Sequence, residues 1–273
     1  MSHPFRSALR YFYDHDGFFL AAGLSFYVVI CVVPFVLLVV AGGGFLLSDE
    51  RVVREVVDRL ATVLPVYQTE MERLLVDVVA ARGVTTVIGT AILLLFASQL
   101  FAATRFVLNR VLGAKGRSLL HGVLFDVGMI ALVTLLFFVT VGITAAFTWI
   151  RSVFLRLDHG LVVASLFEWA GLLLALALDT ALFALLYRFV PSVRLPWRNV
   201  LLGSTATAAL WELAKQLFRF YIEGVGVYSA VYGSLGVSIA LIMWVYYSAI
   251  VFVAGAALIR VLEEQRRFGE IPV

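Results

Sequence analysis

Six long apolar runs decide what this chain can fold into. They cover roughly Phe18–Leu47, Thr85–Leu108, His121–Ile150, Leu161–Val190, Asn199–Phe218 and Leu235–Leu262. About 20 mostly apolar residues suffice for a helix to cross the hydrocarbon of a bilayer. Inside hydrocarbon every backbone N–H and C=O must find a partner within the protein, and a helix supplies those partners within its own segment. Short apolar strands could not do so at these lengths. The chain is 62% hydrophobic and 14% charged, against about 45–50% and about 25% in ordinary soluble domains. That balance excludes a disordered chain, a secreted disulfide scaffold and a soluble nucleic-acid-binding domain. The expectation is an all-α, polytopic membrane helix bundle of six transmembrane helices, forming one integral-membrane domain over residues 1–273. The first run is too long, and too well followed by others, to be a cleaved signal peptide. Pro34 removes one backbone donor within it and predicts a kink.

Lys and Arg counts beside the runs set the orientation, because cytoplasmic loops collect positive charge. With the N-terminus inside, the cytoplasmic side holds Arg6, Arg10, Arg105, Arg110, Lys115, Arg117, Arg188, Arg194, Arg198, Arg260, Arg266 and Arg267, which is twelve. The two short outer connections hold Arg151, Arg156, Lys215 and Arg219, which is four. Both termini are therefore expected in the cytoplasm. The excess explains the net charge of +3 without a nucleic-acid partner. Trp149 and Trp169 fall near the outer interface and Trp197 near the inner one, as aromatic belts do.

Residues 48–84 form the longest connection. Val52, Val53, Val56, Val57, Leu60, Val63 and Leu64, then Met71, Leu74, Leu75, Val78 and Val79, recur at helical spacing on either side of Pro65. The pattern predicts two amphipathic helices in an extracytoplasmic hairpin. Residues 1–17 mix Phe5, Leu9, Phe12 and Tyr13 with Arg6 and Arg10, and predict a cytoplasmic interfacial segment that meets anionic lipid. Residues 263–273 are a short cytoplasmic tail.

Ionisable residues inside spans are costly, and so are candidates for function. Glu168 and Asp179 share one face of the fourth run, about 16 Å apart at 1.5 Å per residue. Glu212, Lys215 and Arg219 share one face of the fifth. Asp179 lies nearest mid-membrane and has no partner on its own helix. Two readings stay open: a polar path for a substrate, or ion pairs that fix helix registry. Glu212 and Lys215 are spaced to pair with each other; Glu168 could meet Arg219, and Asp126 could meet Arg105. Gln99 and Ser98 in the second run are interhelical donors or path residues. Residues 224–236 read GVGVYSAVYGSLG; Tyr228, Tyr232 and Ser234 there could line a path or simply form a tight turn. The stretch lacks the lysine of a phosphate loop and the Gly-x-Ser-x-Gly frame of a nucleophile elbow. Cys31 is the lone cysteine, and His3, His15, His121 and His159 are scattered, so neither a disulfide nor a metal or cofactor site is expected.

The first run reads AAGLSFYVVICVVPF from Ala21 to Phe35, and the last third reads LWELAKQLFRFYIEGVGVYSAVYGSLGVSIALIMWVYYSAIVFVAGAALI from Leu210 to Ile259. Together they resemble the YihY/virulence factor BrkB family of bacterial inner-membrane proteins, over nearly the whole chain. Members often carry Gly-Ala-Glu near the end of the last span; here the run is Gly255, Ala256, Ala257. The resemblance implies a multi-pass protein of the bacterial inner membrane. An older label of the family, ribonuclease BN, implies a tRNA-processing nuclease, but no cytoplasmic loop carries the clustered carboxylates or histidines that metal-assisted hydrolysis needs. A transporter or exporter of a lipid-linked or small envelope-related substrate is the first expectation, not an enzyme. A non-enzymatic scaffold for envelope integrity is the alternative. Small residues on the first and last runs (Ala21, Ala22, Ser25, Gly233, Gly236, Gly255) allow close helix contact, within one chain or in a homo-oligomer.

Overall fold

The computed structural model describes residues 4–46, 82–114, 142–154, 161–224 and 235–269, with isolated helical positions between 128 and 140; side chains are described for part of these. Residues 48–81 of the expected hairpin, half of the third run, Asp126, the side chain of Pro34, and Tyr228, Tyr232 and Ser234 lie outside the described residues; residues 82–84 are already helical. Among the described residues all regular structure is helical. The helices are α1 (Pro4–Asp14), α2 (Gly17–Leu46), α3 (Arg82–Leu112), α4 (Leu161–Phe189), α5 (Trp197–Gly224) and α6 (Leu235–Gly269); residues 142–154 are helical as well.

Three segments, Ala91–Leu112, Ser165–Phe189 and Ile239–Arg266, are long and apolar enough to cross a membrane, and a fourth arises if α1 and the start of α2 count as one bent span. The protein is a helical membrane protein. The fifth run does not reach the same apolarity, because Arg198, Glu212, Lys215 and Arg219 interrupt α5. The sharp bend described in the first span precedes Pro34: α1 and α2 meet at 72°, at Asp16, whose φ of 56° breaks the helical path. Residue conformations of that kind end helices rather than continue them.

α6 is the hub. It packs against α1, α2, α3 and α5, while α2 pairs with α3 and α4 with α5. Val107, Leu108, Val111, Tyr187, Val200, Phe252, Val253 and Ile259 make its core. Large apolar side chains such as Leu95, Phe106, Leu173 and Leu217 remain exposed around the outside, as they do where the solvent is lipid. α4 stops at Phe189 because Pro191 follows; the residue before a proline is pushed out of the helical region. α5 starts where the Pro196 carbonyl accepts the N–H groups of Asn199 and Val200 at 3.1 and 3.2 Å.

The end of the bundle that holds α1 is tied by polar contacts. α3 ends on Gly113, in the left-handed region at φ 66°, with Ala114 N–H donating back to the Asn109 carbonyl at 2.8 Å. This is a Schellman closure, which glycine at that position permits. Two carbonyls of its last turn are capped from elsewhere: Tyr11 Oη donates to Val111 O at 2.9 Å and Arg260 Nη1 to Leu112 O at 3.2 Å. Burial pushes the Tyr11 phenol above its ordinary pKa, against the opposing charge of Arg260, so its hydroxyl stays a donor. The Asn109 amide grips the turn after α4, accepting from Ser192 N–H at 2.7 Å and donating to Ser192 Oγ at 3.2 Å. Arg188 donates to the Leu195 carbonyl and lies over the Trp197 ring. Asn199 Nδ2 donates to the buried Glu263 at 2.9 Å.

Candidate functional site

The charged residues of α4 and α5 converge. Lys215 Nζ donates to Glu212 Oε1 at 2.6 Å, one turn away on its own helix, and to Asp179 Oδ2 at 3.2 Å across the helix interface. All three side chains are half-buried. Asp179 thus gains from α5 the partner its own helix lacks. The local reason is the antiparallel pairing of α4 and α5, in the same register that sets Tyr187 beside Thr207 two turns nearer the connection. Two carboxylates share one ammonium, so the cluster keeps one surplus negative charge when all three groups are ionised. In a low-dielectric setting such a surplus is costly unless another cation or a proton offsets it.

The other candidates lie elsewhere. Glu168 faces Arg151 of the 142–154 helix at 3.8 Å, with the carboxylate exposed and the arginine half-buried. The expected Glu168–Arg219 pair is thereby corrected: the 142–154 helix is packed beside α4, with Phe147 and Phe154 both against Phe167, so Arg151 reaches the carboxylate. Arg219 is exposed, one turn beyond Lys215. Gln99 is on α3 and lines an apolar groove of about 420 Å³ with Phe19, Gly23, Tyr27 and Phe106, away from the charge cluster. Ser98 spends its hydroxyl on the Leu95 carbonyl at 2.7 Å.

Beside the cluster sits a polar knot that the charge pattern does not reveal. Tyr187 Oη donates to the Phe252 carbonyl at 2.7 Å and meets Thr207 Oγ1 at 3.3 Å, while Thr207 Oγ1 donates to the Gly203 carbonyl at 2.8 Å. Tyr187 and Thr207 are fully buried. The knot joins α4, α5 and α6 and fits only because residue 255 has no side chain: a Cβ there would lie 1.9 Å from Thr207 Oγ1 and 2.5 Å from Tyr187 Oη. Phe183 and Trp211 stack edge to face between the knot and the charges, with ring centroids 5.9 Å apart. Ala257, where the resemblance leads one to expect an acid, is buried in the same core. A hydroxyl inside an apolar run was the available signal for Tyr187 and Thr207, since polar groups in such runs seek partners on other helices. Among the described residues no three His, Cys, Asp or Glu side chains gather as metal ligands.

Residues 8–272 match the family model described as Virulence factor BrkB. A UPF0761 membrane protein of Alkalilimnicola ehrlichii is 30% identical over 197 residues, which is 71% of this chain and 43% of that protein. UPF0761 membrane proteins of Paraburkholderia xenovorans and Pseudomonas aeruginosa are 36% identical over 89 residues and 37% over 94, covering 33% and 34% of this chain and 20% and 23% of theirs. The chain spans less than half the length of these curated relatives. No solved structure matches it.

Proposed function

The chain belongs to the virulence factor BrkB family, and on that premise we propose that it is a transporter or exporter of a lipid-linked or small envelope-related substrate. In this reading it is a single six-span domain of the bacterial inner membrane with both termini in the cytoplasm, an extracytoplasmic hairpin over residues 48–84, and no catalytic role. The observation that carries the reading is the Asp179–Lys215–Glu212 cluster, set between two helices of an otherwise apolar bundle. A purely structural pair needs one acid and one base. A second acid on the same lysine adds a charge that registry does not require, and a charge retained in such a setting marks a functional locus. Lys215 is the group that a substrate or coupling ion competes with. Glu168, Arg219, Gln99, Tyr228, Tyr232 and Ser234 are further path residues in this reading, and Pro34 is its hinge.

A non-enzymatic envelope scaffold is the second reading. It is favoured by the pairing of Asp179, Glu212 and Glu168, each with a cation within 4 Å. A thermal-denaturation screen of the purified protein against lipids, lipid-linked sugars, ions and small metabolites separates the two. A ligand at 100 times its dissociation constant stabilises by about 2.7 kcal/mol. The transporter reading expects a stabilising ligand whose effect vanishes in Asp179→Asn. A protein that melts cooperatively and responds to nothing in the screen, or to everything equally in Asp179→Asn, returns the weight to the scaffold.

A further inference from the structure

We infer that α1 is a membrane-surface foot, which seats Phe5, Leu9 and Tyr13 in the acyl region of a phospholipid leaflet and Arg6 and Arg10 among its phosphates. The inference is independent of what the protein transports.

It rests first on how the eleven residues of α1 divide around its axis. At about 100° per residue, Ala8 and Phe12 lie together, and both are buried; Ala8 packs with Leu258 and Val261 of α6. About 80° further round lie Phe5, Leu9 and Tyr13, which are 59%, 67% and 74% exposed. About 80° beyond them lie Arg6 and Arg10, also exposed. A helix on a soluble surface needs two sectors, one for the core and one for water. α1 has three, and the extra one is apolar, large and mostly uncovered, with the Phe18 ring edge-on to Tyr13 at 5.8 Å. A helix lying in an interface has that division: bundle on one side, hydrocarbon below, headgroups and water above.

The level of α1 supports the same placement. It touches α6 at residues 258 and 261, where the apolar run gives way to Arg260, Glu263, Glu264 and Arg266. Tyr11 Oη bonds the Val111 carbonyl, in the last turn of the Ala91–Leu112 span. Two spans thus end at the height of α1. The 72° bend into α2 turns α1 towards the plane that those span ends define. Phe18 and Phe19, exposed at the start of α2, extend the apolar sector downward. Charge supplies the headgroup half. Arg6 has no ion-pair partner among the described residues, and Arg10 holds Asp14 only at 3.7 Å with both side chains exposed, a pairing that water screens and a phosphate can displace.

The test uses the full chain with Cys31→Ser and a spin label at Leu9→Cys or at Arg10→Cys, reconstituted in vesicles of phosphatidylethanolamine and phosphatidylglycerol. The label at position 9 should collide several-fold more with oxygen, which concentrates in hydrocarbon, than with a water-soluble nickel chelate; the label at position 10 should show the reverse. Equal access of the chelate to both labels overturns the inference, because the face is then wet. Shielding of position 9 from both agents also overturns it, because protein then covers the face. For the headgroup half, Arg6→Gln/Arg10→Gln should lower the phosphatidylglycerol retained through detergent purification several-fold relative to phosphatidylethanolamine. An unchanged ratio refutes that half.

Discussion

Gly255→Ala tests whether the polar knot holds the bundle together. The added methyl would sit 1.9 Å from Thr207 Oγ1 and 2.5 Å from Tyr187 Oη, so one or both must move. Neither moves freely. Thr207 is fixed by its bond to the Gly203 carbonyl and Tyr187 by its bond to the Phe252 carbonyl, and both residues are fully buried. Forcing one extra carbon into a packed core costs about 1–3 kcal/mol. Stretching or losing one buried hydrogen bond adds about 1 kcal/mol. Replacing glycine by alanine inside a helix returns about 1 kcal/mol. The sum is a loss of about 1–3 kcal/mol, or a fall of roughly 2–12 °C in melting temperature on the scaling of folded domains. The assay is a thermal melt of the purified protein. Gly23→Ala is the control, because a Cβ at position 23 meets nothing within 4 Å; it should melt at or slightly above the parent. Thr207→Ala combined with Gly255→Ala removes one of the two atoms in collision and should recover part of the loss. If Gly255→Ala melts with the parent, or no lower than Gly23→Ala, the close approach of α6 to α4 and α5 described above is wrong.

Two more predictions concern the polar contacts. Lys215→Met leaves two carboxylates without their cation and should cost roughly 1–4 kcal/mol, between the exposed and buried limits for ion pairs; Glu212→Gln leaves a balanced Asp179–Lys215 pair and should cost under about 1 kcal/mol. The order of their melting temperatures checks this, and the reverse order would show that Lys215 is not shared. Asn109→Ala strands the Ser192 N–H and should cost about 1–3 kcal/mol, whereas Asn109→Asp keeps the acceptor at Oδ1 and should recover much of it in the same melt.

The membrane class was legible because it depends on one-dimensional quantities, the length and apolarity of runs, and the helices follow those runs closely at α2, α4 and the start of α6, which continues to Gly269 through most of the expected tail. What could not be read was which helix lies beside which. The i, i+3 spacing of Glu212 and Lys215 is visible along one helix, and the pair is present at 2.6 Å. The link from Lys215 to Asp179, and the choice of Arg151 over Arg219 by Glu168, depend on neighbours that spacing does not encode. The bend at Asp16 has no sequence signal for a similar reason. Proline announces a kink through its chemistry, whereas an aspartate in the left-handed region announces nothing. Tyr187, Thr207, Asn109 and Asn199 carry no distinguishing signal in the sequence, because an uncharged polar residue in an apolar run is common and its importance comes only from the atom it meets.

The position of the knot along α4 has a mechanical consequence. Tyr187 is anchored to α6 and, through Thr207, to α5, and the turn just beyond it is fastened by Asn109 and Asn199. Asp179 is eight residues up the same helix, about 12 Å from that anchor at 1.5 Å per residue. The anchor is a fulcrum and the carboxylate rides on the arm. A tilt of α4 away from α5 of about 10° about Tyr187 would carry Asp179 about 2 Å, enough to lengthen its 3.2 Å contact with Lys215 past hydrogen-bonding range, and would have to open the Phe183–Trp211 contact on the way. Angular play at one end of α4 would therefore be read out at the other as the making or breaking of a single ion pair.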